Sequence, residues 1–127
     1  MAILIGAQAF AGVIICALAV PMMQRRVKPN RLYGLRCPAT FADEWVWYEA
    51  NALSGRELFA LGLCVLIFAF IPLIDSTVPP MTYVLGNGVF LVAGAIFVGV
   101  IGWMRANRLL KERQELGTHC GNRFDVH

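Results

Sequence analysis

The sequence predicts an all-α integral membrane protein, with three transmembrane helices and a cytoplasmic interfacial helix in the first loop. Three observations carry that prediction. Of the 127 residues, 58% are hydrophobic and only 15% are charged, against about 25% charged in a soluble domain; mean hydropathy is +0.64. The apolar residues gather in three runs, Met1 to Met23, Leu58 to Ile74 and Met81 to Met104, none of which holds Asp, Glu, Lys, Arg or His. At about 1.5 Å per residue each run reaches across a hydrocarbon core of about 30 Å, the middle one near the short limit. Finally, all eleven Lys and Arg residues fall on one side of a three-span topology.

The first span covers residues 2–23. It differs from a signal peptide in lacking a basic leading segment, because the positive charges follow the apolar run. Arg25, Arg26, Lys28, Arg31, Arg36 and Arg56 then precede the second span, residues 57–74. The connector "DSTVPP" carries no basic residue, and Pro72, Pro79 and Pro80 close this hairpin. After the third span, residues 81–104, come Arg105, Arg108, Lys111, Arg113 and Arg123. The positive-inside rule therefore predicts a cytoplasmic first loop and C-terminus, with the N-terminus and Asp75 outside. The net charge of +3 reads as topology and contact with anionic lipid, not as nucleic-acid binding.

Residues 1–117 are expected to form one membrane domain, and residues 118–127 a flexible tail. The stretch "RANRLLKERQEL" predicts a basic amphipathic helix lying on anionic headgroups and ending at Gly117. His119, Cys120 and His127 match no metal-site spacing, so neither metal nor cofactor is expected. Small residues Gly88, Ala95, Gly99 and Gly102, with Val92, form a stripe on span three. Such a stripe predicts close helix packing, within the monomer or across a homodimer. The absence of ionisable residues from the spans argues against a proton-coupled transporter.

The chemistry concentrates in "NRLYGLRCPATFADEWVWYEANALSG", residues 30–55. Gly34 fits a turn that a side chain would obstruct. Thr40 is the expected N-cap of a loop helix over 40–53, with Asp43 three residues on as an acidic capping-box partner, and Ser54-Gly55 as its stop. Phe41, Trp45, Tyr48 and Ala52 would share one face of that helix, and Asp43, Trp47 and Asn51 another. Trp47 would then insert against the bundle or over "YGLR". Arg36 is expected to pair with Glu44 or Asp43, or to clamp a lipid phosphate.

The order Asn30, Tyr33, Gly34, Arg36, Pro38 and Thr40, followed by Glu44, Trp47, Asn51 and Gly55, resembles the signature of the SdpI immunity-protein family. Cys37, Ala39 and Ala52 depart from that pattern, standing where Thr, an aromatic and a basic residue are frequent. The resemblance implies a non-enzymatic protein of a bacterial inner membrane that protects against a peptide or protein toxin and signals through a cytoplasmic protein partner. It makes those ten residues the candidate binding set, with Arg36, Glu44, Trp47 and Asn51 as its interaction surface. A toxin arrives from outside, whereas charge places this loop inside. The loop would then hold an internal partner, grip inner-leaflet lipid, or brace the helices. The other classes open to the chain are an accessory or assembly subunit of a larger membrane complex, and an enzyme or carrier of lipid headgroups using Arg36.

Overall fold

The computed structural model describes residues 2–74 and 77–121, with side chains through residue 118. It contains helices α1 (Ala2–Met23), α2 (Pro38–Ala42), α3 (Glu44–Ile74) and α4 (Pro80–Gly121), with no strand among the described residues. Three of them, α1, α3 and α4, are long and apolar enough to cross a membrane. Phe10, Ile67, Leu85, Val89, Ile96 and Phe97 are among many large apolar side chains left exposed along these helices. That is a surface suited to lipid, not water.

α3 lies at the centre, with α1 on one side and α4 on the other. Glycines set the α1–α3 distance. A Cβ on Gly12 would lie 3.0 Å from Gly62 O and Leu66 N, and one on Gly62 would lie 2.8 Å from Cys16 Sγ. Without a hydrophobic drive between helices in lipid, backbone approach of this kind supplies the packing. α4 runs antiparallel to α3: Gly94 accommodates Leu61, Gly102 faces Ser54, and Phe68 meets Phe90 edge-on at 5.3 Å. The Gln8 amide donates to Val84 O at 3.3 Å, tying α1 to α4.

α1 ends in a Schellman arrangement. Arg26 N donates to Pro21 O and Arg25 N to Met22 O, with Arg25 at φ 55°. That conformation normally favours glycine. Its side chain forms an ion pair with Glu49 at 2.5 Å.

Several expectations are corrected here. No separate interfacial helix spans 40–53; the loop helix and second span are one 31-residue helix. Ser54-Gly55 does not stop it, because both residues are buried and Gly55 is clamped by Met22, Met23 and Ala19. The break falls instead at Asp43, whose Oδ1 accepts from Trp45 N at 2.8 Å and Val46 N at 3.2 Å, capping α3. Thr40 is not an N-cap but lies inside α2, where its Oγ1 accepts from Cys37 N at 3.0 Å. Phe41 is thereby separated from Trp45, Tyr48 and Ala52, so the four share no single helix face.

α4 continues past Gly117 to Gly121 and does not turn along a surface there. Leu109 and Leu110 pack on the cluster of Cys37, Ala39, Val46, Ala50 and Ala106, which holds the extension upright. At about 1.5 Å per residue its 42 residues span roughly 63 Å, about twice the hydrocarbon thickness. The predicted small-residue seam is also offset. Gly88, Val92 and Ala95 are exposed, and a Cβ on Gly99 would meet nothing within 4 Å; of the five only Gly102 packs inside. The stripe facing α3 runs through Asn87, Gly94, Gly102 and Ala106. Asp75, the end of the tail over 122–127 and the side chains of His119 and Cys120 lie outside the described residues.

Candidate functional site

The loop between α1 and α2 is built from short polar links. Asn30 folds its first half: Oδ1 accepts from Leu32 N at 2.9 Å and Tyr33 N at 2.8 Å, and Nδ2 donates to Lys28 O at 2.8 Å. This is an Asx turn, in which the side chain substitutes for backbone partners. Gly34 follows at φ +104°, a conformation that side chains disfavour. Its lack of a Cβ also makes room for α3, since an added Cβ would lie 2.5 Å from Asn51 Oδ1.

Asn51, 2% exposed, is the hub. Its Oδ1 accepts from Leu35 N at 2.6 Å, and its Nδ2 donates to Trp47 O at 2.9 Å. Buried amides of this kind must find partners, and here both atoms do. One turn earlier Trp47, fully buried, donates from Nε1 to Val27 O at 2.8 Å and packs on Phe41 with ring centroids 5.4 Å apart. Thr40 Oγ1 closes the far side against the carbonyls of Cys37 and Leu35, at 2.9 and 3.2 Å. Gly55 lets the end of α1 approach the base of this assembly.

The ten signature residues thus divide by exposure. Thr40, Trp47, Asn51 and Gly55 are buried, Asn30, Tyr33 and Gly34 partly so, and Arg36, Pro38 and Glu44 face solvent. Trp47 was expected to insert against the bundle or over "YGLR"; its indole donates to Val27 O, and a Cβ on Gly34 would lie 3.5 Å from its ring. As an interaction surface, however, Trp47 and Asn51 have no area to offer. Pro38 takes the first position of α2, where a missing N–H costs nothing. Arg36 donates from Nη1 to Arg31 O and forms no ion pair with Asp43 or Glu44. The Tyr33 hydroxyl is buried without a partner, and burial pushes its phenol above the ordinary value of 10.0.

Asp43 turns to α4 instead, meeting Arg113 Nε at 3.7 Å, while the Arg113 guanidinium sits 5.2 Å over the Trp45 ring. Further along, Arg105 pairs with Glu57 where α4 passes the loop. These links between α3 and α4 went unread in the sequence. Arg105 and Glu57 do lie at facing ends of their apolar runs, a signal that could have found them. Nothing in the spacing pairs Arg25 with Glu49 or Arg113 with Trp45.

The site's geometry is therefore that of a clasp. A signature motif directed at backbone groups fixes the loop to α3, and the extension of α4 closes over it. Neither a curated protein nor a solved structure matches the chain. Neither limit of the signature loop falls outside the region, residues 26–107, that the model of the SdpI/YfhL protein family matches, and the chain belongs to that family.

Proposed function

We propose that this protein protects a bacterial inner membrane against a peptide or protein toxin, its clasp and C-terminus facing the cytoplasm. Family membership supports a membrane immunity-type protein. The finer reading rests on one observation: Trp47, Asn51 and Thr40 are buried and engaged with the loop backbone. The signature acts as an internal brace that holds α1, α3 and α4 in register, and protection is exerted by the helices it braces. Arg36 and Glu44, left exposed beside the clasp, are the groups open to a cytoplasmic protein partner and to signalling. The protein works by binding, not catalysis, since its signature side chains converge on backbone groups.

The test is survival of a toxin-sensitive host expressing the chain. Asn51→Ala is expected to abolish protection by releasing the loop. Arg36→Ala is expected to keep protection while reducing co-purification of a cytoplasmic partner. Loss of protection in Arg36→Ala, with the fold intact, would overturn the brace and make the exposed loop face the protective surface.

A further inference from the structure

The end of the bundle opposite the clasp holds a cavity of about 280 Å³ between α3 and α4. Phe68, Ile71, Tyr83, Gly86, Asn87 and Phe90 are among its walls. An apolar cavity of about 150 Å³ already accommodates benzene, so this one has room for an aromatic or branched side chain and part of its backbone.

Asn87 gives the cavity a polar element. It is 7% exposed; its Nδ2 donates to Val65 O at 3.2 Å, whereas its Oδ1 is buried with no hydrogen-bond partner. Thr82 and Tyr83 share the walls but do not bond this oxygen, and a buried carbonyl oxygen is unfavourable until a donor reaches it. That requirement separates the ligand classes. A lipid acyl chain fills apolar space but brings no donor. A peptide brings an apolar side chain and an N–H together. The cavity also lies at the end remote from every Lys and Arg among the described residues, which is the outer end under the proposed topology and the side from which a toxin arrives.

From this geometry we propose that the cavity is the docking site for an apolar side chain of a peptide, with Asn87 Oδ1 accepting one of its N–H groups. As a toxin site it rests on the immunity reading; as a peptide site it stands alone. Gly86 offers a clean probe, because a Cβ there would meet nothing within 4 Å although the residue lines the cavity. Gly88 is equally open but faces elsewhere, so it serves as a control.

The full chain would be placed in nanodiscs of phosphatidylethanolamine and phosphatidylglycerol and titrated with fluorinated N-acetyl-tryptophan amide, read by fluorine NMR. The fully N-methylated analogue has similar bulk but no N–H donor. Saturable binding is expected for the native chain and for Gly88→Phe, and none for Gly86→Phe. Asn87→Leu should bind about tenfold more weakly, the native chain binding the N-methylated analogue as weakly. Absence of saturable binding beyond empty nanodiscs, or equal binding by Gly86→Phe, would overturn the site. In cells, Gly86→Phe should insert normally and fail to protect against a secreted peptide toxin that the native chain resists. Full protection by Gly86→Phe would remove the toxin from this cavity and leave the immunity reading standing. If the native chain gives no protection the immunity reading fails, and the nanodisc titration still decides the cavity.

Discussion

Asn51 Oδ1 occupies the space that a side chain on Gly34 would need: a Cβ added there would lie 2.5 Å from it. The two residues are therefore one feature. The glycine supplies both the positive φ and the gap, and the amide fills that gap to capture Leu35 N. Gly34→Ala is expected to destabilise the protein by about 2 kcal/mol or more, combining an unfavourable backbone conformation with displacement of the amide. Thermal unfolding in detergent would register the loss. Cys37, 7% exposed in the intact clasp, should also become reactive to maleimide.

Trp47 divides into two separable contributions. Trp47→Phe keeps most of the packing but orphans Val27 O, at a cost of about 1 kcal/mol. Trp47→Ala also opens a cavity and should cost about 3–5 kcal/mol. Arg36→Ala, at an exposed position, should change unfolding by less than about 0.5 kcal/mol. Chemical denaturation of the three variants side by side checks this ranking.

Tyr33 carries a pH dependence of known sign. Burial raises its folded-state phenol above 10.0, so the unfolded chain ionises first as pH rises. The stabilisation is complete below about pH 10 and is lost as pH climbs through the raised value. Loop release should therefore track tyrosinate absorbance in strongly alkaline solution. Tyr33→Phe, which removes a buried hydroxyl without a partner, is expected to be neutral or mildly stabilising near neutral pH.

Gly55 tests the packing between α1 and α3. A Cβ there would lie 2.9 Å from Met22 Cβ and 3.0 Å from Met23 N. The second neighbour is backbone and cannot swing aside. Gly55→Val should part the two helices at the base of the clasp and increase proteolysis after Met23, whereas Gly6→Val, in open space, should not.

The three spans were legible because membrane thickness imposes a length on apolar runs, and that length can be read without knowing any partner. The insertion of Trp47 and the turn at Gly34 were legible for a similar local reason. Helix boundaries at the clasp were not. Thr40 and Asp43 are both good capping residues, and which one starts the long helix depends on tertiary contacts. Asp43 prevails with two backbone donors on one oxygen, while Thr40 is drawn to Cys37 and Leu35. Ser54-Gly55 resembles a stop only until Met22 and Met23 are seen against it. The outer half of the α4 stripe was misplaced by one position for the same reason: Gly88 and Ala95 adjoin Asn87 and Gly94 in sequence, and the bond of Asn87 to Val65 O and the contact of Gly94 with Leu61 show which pair faces α3.

Protection exerted by the far ends of the helices requires the clasp to lie inside. Cys37 is too buried to report on this, but Leu32, 92% exposed in the same loop, is well placed. A Leu32→Cys chain lacking Cys37 and Cys120 would be treated with a membrane-impermeant maleimide, first in intact cells and then after lysis. Labelling only after lysis is the predicted result, leaving the far end of the helices to face the toxin. Labelling in intact cells would contradict the account, because the signature loop itself would then stand outside, in the toxin's path.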